Sequence, residues 1–227
     1  MQFAIGDIHG HDTKLFDLMG HCRAYAEARA ARARFILLGD YVDRGPASAS
    51  VIAFIAGRPA DVEAISGNHE ALLLEACEDS ERLALWIANG GLQTMMSYGV
   101  NHPSELPREH LVALRRLPLF VDDGLRLFVH AGIDLRAPDA RDPQTLLWTR
   151  AQPPDGMVLP RFLVHGHTPT RSGLPDLRPN RLNLDTGAGF GRALTAAGFD
   201  GDEPLPRCFI DSAGTVTPVP VRHSGQG

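Results

Sequence analysis

The sequence predicts an α/β fold, in which helices pack against β-sheet, and three observations support this. Short apolar runs alternate with helical patterns through the first half of the chain. Polar residues flanked by glycine follow most of these runs, where strands would end. Hydrophobic residues make up 44% of the chain, which is sufficient for a large core. No linker divides the sequence, so we expect one domain over 1–227.

Apolar runs and helical periodicity predict the elements of the first half in order. The predicted strands are Phe3–Ile5, Phe35–Leu38 and Val62–Ile65. The predicted helices are Thr13–Ala31, Ser48–Ala56 and Glu70–Glu75. We expect Asn68 to cap the third helix, because its side chain can accept a hydrogen bond from a free N–H of the first turn.

The sequence predicts that residues 79–117 form a mostly helical insertion. This insertion is a candidate cap over the functional site that the motifs described below would form. Ser80 opens one helix, Gly90 and Gly91 close it, and Glu109–Leu117 forms another. We expect Trp86 to pack in the core.

The rest of the chain is predicted as mostly β-structure, with proline-rich loops at 152–160 and 169–179 and a frayed tail from His223. The predicted strands are Leu119–Val121, Leu125–Val129, Phe162–Val164, Leu182–Leu184, Leu194–Ala196, Cys208–Ile210 and Thr215–Val219.

Charge and composition argue against several classes of protein. The net charge is −5 and the pI is about 6.0, which disfavours general nucleic-acid and membrane-surface binding. Met1 leads straight into the first predicted strand, and no apolar run reaches the ~18 residues of a membrane helix. Three widely spaced cysteines form no metal or redox motif. We therefore expect a cytoplasmic protein with reduced thiols.

Five short motifs carry the chemistry of the chain. They are Gly-Asp-Ile-His-Gly at 6–10, Gly-Asp-Tyr-Val-Asp-Arg-Gly at 39–45, Gly-Asn-His-Glu at 67–70, His-Ala-Gly at 130–132 and His-Gly-His-Thr at 165–168. Any one of them also fits an ordinary turn, but the five together do not. Aspartate, asparagine and histidine are ligands that divalent metals take, and the carboxyl ends of neighbouring strands meet at one edge of a sheet.

The individual residues fit a site with two metals. Asp7 and His9 are two positions apart in extended chain and can face one cation. The carboxylate of Asp40 has two oxygens and can bridge two cations. The other candidate ligands are Asn68, His130 and His167, with His165 left open as an outer ligand.

Four further residues suit a phosphate. Arg44 and Arg150 are candidate phosphate clamps. His69 lies beside a candidate ligand, and Asp43 could orient its ring. The cluster Gly187, Gly189 and Gly191 lacks the spacing of a dinucleotide loop and is predicted to be a tight turn.

The five motifs together resemble the phosphoprotein phosphatase family of calcineurin-like metallophosphoesterases, and in particular its small bacterial and phage members. The resemblance covers most of the chain. It implies a two-sheet β-sandwich flanked by helices, with a dimetal site at the carboxyl ends of strands. It implies one metal at Asp7, His9 and Asp40. The second metal would be held by Asp40, Asn68, His130 and His167.

The same resemblance implies catalytic roles. His69 would be the general acid with Asp43 as its partner, and Arg44 and Arg150 would hold the phosphate. Two divalent ions are expected, with Mn²⁺ as the working metal and Fe or Zn compatible with the same ligands. We expect hydroxide bridging the metals to attack phosphorus directly.

The expected function is a metal-dependent phosphomonoesterase, specifically a Ser/Thr protein phosphatase acting on a phosphorylated protein or peptide. The family resemblance implies that Asp43, Arg44 and Glu70 favour this interpretation over hydrolysis of a dinucleoside polyphosphate such as diadenosine tetraphosphate, or of another nucleotide. An inactive phosphopeptide-binding module is a more remote alternative, since no expected ligand is missing. The sequence contains no feature that indicates an oligomeric state.

Overall fold

The computed structural model describes residues 1–220, and the predicted frayed tail from His223 lies outside this range. The strands are β1 (Gln2–Ile5), β2 (Arg34–Leu37), β3 (Val62–Ala64), β4 (Phe120–Asp122), β5 (Arg126–Val129), β6 (Phe162–His165), β7 (Asp176–Leu177), β8 (Arg181–Asn183), β9 (Thr195–Phe199), β10 (Cys208–Asp211) and β11 (Val216–Pro218). The α-helices are α1 (Asp12–Glu27), α2 (Ser48–Ala56), α3 (Asn68–Ala76), α4 (Ser80–Trp86), α5 (Leu92–Tyr98), α6 (Arg108–Arg115) and α7 (Pro143–Trp148).

The strands form two mixed sheets. The first has the order β11-β10-β9-β1-β2-β3, and the second has the order β4-β5-β6-β8-β7. In the first sheet β1, β2 and β3 are parallel, and in the second β5, β6 and β8 are parallel. The strands that precede the five motifs are therefore the parallel ones, whose carboxyl ends share an edge.

Alternation along the strands divides the core into layers. Ala4 and Ile36 of the first sheet pack against Phe128 and Val164 of the second, between the two sheets. Residues one position away point to the opposite face and pack under α1 and α2. The predicted α/β fold, a two-sheet sandwich flanked by helices, is confirmed.

The outer face of the second sheet is covered by α7, where Leu146 packs on Leu127 and Leu163. The insertion at 79–117 contains α4, a π-helical turn (Ile87–Gly91), α5, a 3₁₀ turn (Pro103–Glu105) and α6. These elements and α3 bury an apolar cluster around Trp86.

Two predicted helix boundaries were wrong. α1 ends at Glu27 rather than Ala31, because Ala30 takes a left-handed φ of 55° that a helix cannot contain. Asn68 is the first residue of α3, and Gly67 takes the capping position instead. Asn68 is not free to cap, since its side-chain oxygen faces two histidines of the candidate site.

The insertion and the loops also differ from expectation. Gly90 does break the helical path, as predicted, since its φ is 108°, but α4 already ends at Trp86 and α5 begins directly after Gly91 at Leu92. The sequence reasoning missed α7, although Asp142 followed by Pro143 is a helix-start signal and the Asp142 side chain does cap it. It also missed β7, which lies in a predicted loop.

Across residues 1–220, every helix is too short or too polar to cross a membrane.

Candidate metal-binding active site

The polar motifs meet where five parallel strands end. Asp7 and His9 follow β1, and Asp40 follows β2. The remaining three predicted ligands, which follow β3, β5 and β6, are Asn68, His130 and His167. The structure brings all six predicted metal ligands to one edge shared by both sheets, and all but the partly buried His167 are buried.

Asp40 lies between two groups of side chains. Its Oδ2 is 3.5 Å from His9 Nε2, and its Oδ1 is 3.4 Å from His130 Nε2. Ligand atoms of Asp7, Asp40 and His130 lie within 4.8 Å of one another, and so do those of His9, Asp40 and His69. The two oxygens therefore face opposite halves of the site, which is the arrangement that a bridging carboxylate requires.

Asn68 holds the second half together. Its Oδ1 lies 2.8 Å from His130 Nε2 and 2.8 Å from His167 Nδ1. The His130 Nδ1 is 2.8 Å from the carbonyl oxygen of Leu38, which fixes the ring orientation. Three groups from both sheets thus direct one amide oxygen and two nitrogens at the same point.

The charges of the site favour a bound cation. Burial, together with the carboxylates of Asp185 and Asp40, raises the pKa of Asp7 well above its ordinary value. Burial alone would raise the pKa of Asp40 too, but the nearby His130, His69 and His9 hold it below its ordinary value. Buried carboxylates this close repel one another unless positive charge compensates them.

The candidate histidine ligands are held neutral. Burial lowers the pKa of His9 to about 3 and that of His167 to about 4, and it lowers the pKa of His130 as well. A metal ligand must be the neutral imidazole. The rings are therefore in the ligating form at neutral pH.

His69 differs from these rings. Burial lowers its pKa, but the charges of Asp40 and Asp43 and a hydrogen bond to Asp43 outweigh burial, so the pKa of His69 is raised. The Nδ1 of His69 donates to Asp43 Oδ2 at 2.6 Å. This ring is the one in the site suited to carry a proton.

Arg44 reaches the centre of the site, whereas Arg150 does not. The Arg44 Nη1 is 2.6 Å from His9 Nε2, and its Nη2 is 3.0 Å from His69 Nε2. Its guanidinium also lies 4.8 Å from the ring centroid of Phe190, which is 63% exposed. Arg150 is exposed and makes no hydrogen bond within residues 1–220, although its charge lowers the pKa of His167.

Backbone strain is concentrated at this site. In the described part of the chain, positive φ angles occur at seven non-glycine residues, which are His9, Ala30, Asp40, Asp43, Arg44, Arg58 and His167. All but Ala30 and Arg58 are predicted site residues. Such conformations cost energy and persist at functional sites, where the surrounding structure enforces them.

The donor set fits divalent metal ions. Carboxylate oxygens, an amide oxygen and neutral imidazole nitrogens converge at one buried, negatively charged edge. A family model described as calcineurin-like phosphoesterase matches residues 3–191. The chain belongs to this family.

Calcineurin-like phosphoesterases use a dinuclear divalent metal site, and this chain holds the candidate ligand groups for one. The chain is 29% identical to serine/threonine-protein phosphatase 1 of Salmonella typhimurium, over 86% of this chain and 90% of that one. It is 30% identical to an asymmetrical bis(5'-nucleosyl)-tetraphosphatase of Halalkalibacterium halodurans, over 88% and 90%. The fold also matches a crystal structure provisionally identified as a diadenosine tetraphosphatase, with a TM-score of 0.62, 21% identity and coverage of 92% and 91%.

Two residues of this calcineurin-like phosphoesterase were missed as site residues. Glu70 is fully buried in α3 and accepts from the N–H groups of Asp40 and Tyr41 at 2.8 and 2.7 Å. Asp185 is buried beside Asp7 and raises its pKa. The available signal was a glutamate three positions after Gly67, from which its carboxylate reaches back to the Gly67 N–H at 2.9 Å.

His165, left open as an outer ligand, has neither ring nitrogen hydrogen-bonded to a candidate metal ligand within residues 1–220. It is fully buried, and its Nδ1 is 3.1 Å from the carbonyl oxygen of Gly166. Its Nε2 has no hydrogen-bond partner within residues 1–220, and His165 belongs to neither group of candidate ligands there.

Proposed function

We propose that this phosphoesterase is a phosphomonoesterase that removes phosphate from serine and threonine side chains of a protein or peptide. The observation that carries the proposal is the hydrogen bond between His69 and Asp43, beside Arg44. A seryl or threonyl oxygen is a poor leaving group unless it receives a proton, and general acids contribute ~10²–10⁴ to such steps. The likeness to the Salmonella serine/threonine phosphatase supports the same substrate class.

The six predicted ligands would hold two divalent ions, for which we propose Mn²⁺, with Fe or Zn as alternatives. Such ions would lower the pKa of a water nucleophile, and their positive charge would stabilise negative charge on the phosphate. Asp40 would serve both ions through its two oxygens, as its position between His9 and His130 suggests.

The remaining residues act on the phosphate and the leaving group. Arg44 would bind equatorial phosphate oxygens through its two terminal nitrogens, which already point into the site. His69 would donate the proton on Nε2 to the departing oxygen, while Asp43 keeps the ring oriented through Nδ1. Arg150 would have to turn inward from its exposed position to act as a second clamp. A cytoplasmic location belongs to the same proposal.

Hydrolysis of a dinucleoside polyphosphate is the second candidate. The likeness to the bis(5'-nucleosyl)-tetraphosphatase, at 30% identity over most of both chains, favours it. The exposed ring of Phe190 beside Arg44 offers a surface on which a nucleobase could stack. The leaving group would then be a phosphate oxygen, which needs little acid assistance.

One experiment separates the two candidates. The protein is stripped of metal and then supplied with Mn²⁺, Zn²⁺ or Fe²⁺, and turnover is compared on a phosphothreonine peptide and on diadenosine tetraphosphate. We expect Mn²⁺ to restore phosphate release from the peptide, and His69→Asn to abolish most of it. Faster hydrolysis of the dinucleotide, insensitive to His69→Asn, would establish the second candidate. Binding of the peptide, with no turnover of either substrate in any metal, would contradict both.

A further inference from the structure

The carboxylate of Asp43 has two hydrogen-bond partners that lie outside the five motifs. Its Oδ2 accepts from the indole Nε1 of Trp86 at 2.9 Å, in addition to His69. Its Oδ1 accepts from the hydroxyl of Thr94 at 2.8 Å. Asp43, Trp86 and Thr94 are all fully buried, so water cannot replace either donor.

Thr94 holds the backbone of Asp43 as well as its side chain. The N–H of Asp43 donates to Thr94 Oγ1 at 2.8 Å, while the Thr94 hydroxyl donates to the carboxylate. Asp43 has a φ of 72°, a conformation that an L-residue keeps only under external constraint. Thr94 supplies part of that constraint.

The shape of the insertion brings both donors to Asp43. Trp86 is the last residue of α4, Thr94 is in α5, and the π-helical turn joins them. Gly90 in this turn has a φ of 108°, and its carbonyl accepts the N–H of Arg44 at 3.1 Å. The segment from Trp86 to Thr94 therefore contacts two consecutive residues of the second motif, Asp43 and Arg44.

We infer that Trp86 and Thr94 are positioning residues for the proton donor His69, acting through Asp43. A carboxylate held by donors on both oxygens cannot rotate, so the ring that it binds keeps its Nε2 directed into the site. Neither residue touches the substrate. This inference rests on the proposed role of His69 as the acid, and it gives the insertion a part in catalysis beyond covering the core.

The variants are Trp86→Phe, which removes the indole N–H and keeps a buried ring, and Thr94→Val, which removes the hydroxyl at nearly constant volume. Trp148→Phe is the matched control, because Trp148 packs at the edge of the same apolar cluster and makes no side-chain hydrogen bond within residues 1–220. Thr94→Ser restores the hydroxyl. Each is measured on a phosphothreonine peptide and on p-nitrophenyl phosphate, whose leaving group needs no proton.

We expect Trp86→Phe and Thr94→Val to lower kcat on the peptide by about 10-fold with KM unchanged, a fraction of the full effect of a general acid. We expect less than about a 2-fold change on p-nitrophenyl phosphate, recovery in Thr94→Ser, and no effect of Trp148→Phe. In a His69→Asn background the two substitutions should cause no further loss. Equal losses on both substrates, or a full further loss without His69, would overturn the inference.

A second readout does not require turnover. A proton in a short hydrogen bond between imidazole and carboxylate resonates far downfield in the NMR spectrum, and His69→Asn identifies it by its disappearance. In the metal-free protein we expect this resonance to shift in Trp86→Phe and Thr94→Val and to stay in place in Trp148→Phe. An unchanged chemical shift of this proton in both variants would contradict the inference. If the parent protein hydrolysed neither substrate in any metal, the proposed function would fail while this test of the positioning contacts still stood.

Discussion

Asp40 is the residue on which both halves of the candidate metal centre depend. One of its oxygens faces His9 and the other faces His130. It also accepts the N–H of His69 at 3.0 Å, so the same carboxylate fixes the start of α3. A single side chain therefore connects the two groups of ligands and the proposed acid.

Asp40→Asn should reduce metal content as well as turnover. The amide has one oxygen that can ligate, so the variant should bind fewer than two Mn²⁺ per chain after dialysis, measured by mass spectrometry of the metals. We expect kcat to fall by about 10²-fold or more, because charge stabilisation by the ions is worth several kcal/mol. Asp17→Asn, on the exposed face of α1, is the control. A variant with two ions and full turnover would exclude the bridging role.

At the scale of single elements, the segment after β2 is held by one buried carboxylate. The Oε2 of Glu70 accepts from the N–H groups of Asp40 and Gly67 at 2.8 and 2.9 Å. Its Oε1 accepts from Tyr41 at 2.7 Å and Val42 at 3.3 Å. Burial and the charge of Asp40 raise the pKa of Glu70 to about 7, against the lowering effect of these donors. Glu70 of α3 thereby fixes the loop after β2, which carries Asp40, Asp43 and Arg44.

Glu70→Gln should therefore destabilise the fold. The amide NH₂ would face two backbone N–H groups that keep no acceptor, at a cost of about 2–4 kcal/mol in the free energy of unfolding. Urea denaturation of the metal-free protein measures this without reference to activity. Glu75→Gln on the exposed side of the same helix removes an ion pair to Arg82 at 3.5 Å and should change the free energy by less than about 0.5 kcal/mol. Equal free energies of unfolding for the two variants would show that the hydrogen bonds of Glu70 do not stabilise the fold.

The turn Ala188–Phe190 sets the position of His9. A Cβ at Gly189 would lie 2.5 Å from the Cδ2 of His9, which is closer than side chains approach. The His9 ring cannot move away, because its Nδ1 is hydrogen-bonded to the carbonyl oxygen of Val42 at 2.9 Å. The His69 ring also packs against it, with 4.7 Å between the ring centroids. The predicted tight turn thus allows backbone and imidazole to touch.

Gly189→Ala should weaken the metal site held by His9. Displacing the ring should reduce Mn²⁺ affinity by about 10–100-fold, as measured by competition with a fluorescent chelator. Gly201→Ala is the control, since no atom lies within 4 Å of a Cβ there. If Gly189→Ala binds two ions as tightly as the control, the close approach does not constrain His9.

At the scale of the whole molecule, the sequence predicts the layers, and the meeting of the candidate ligands at one edge, better than the supporting contacts. The candidate ligands can be recognised in the sequence, because their residue types and their positions after strands follow general rules, as at Asp7 and His130. The contacts of Glu70, Trp86 and Thr94 are not, because they join residues some 30 to 51 positions apart through helices whose ends the sequence predicts poorly. The exposure of Arg150 depends on a loop conformation that no local pattern specifies.

The two sheets meet at the candidate metal ligands. Asp7, His9, Asp40 and Asn68 follow strands of the first sheet, whereas His130 and His167 follow strands of the second. Bound ions would therefore link the sheets and compensate the buried carboxylates of this edge, so the native state should gain stability that the unfolded chain does not share.

The melting temperature should consequently depend on free Mn²⁺. At about 100 times the dissociation constant the gain is roughly 2.7 kcal/mol, which for a chain of this size corresponds to about 5–10 °C. Calorimetry in a chelator, followed by Mn²⁺ titration, measures the shift. His130→Ala removes one of the two candidate ligands on the second sheet and should lose most of the increase, whereas His21→Gln, on the exposed face of α1, should keep it. A melting temperature that is the same in chelator and in saturating Mn²⁺ would contradict the link between the two sheets. A melting temperature that rises equally in His130→Ala would show that His130 does not hold the stabilising ion.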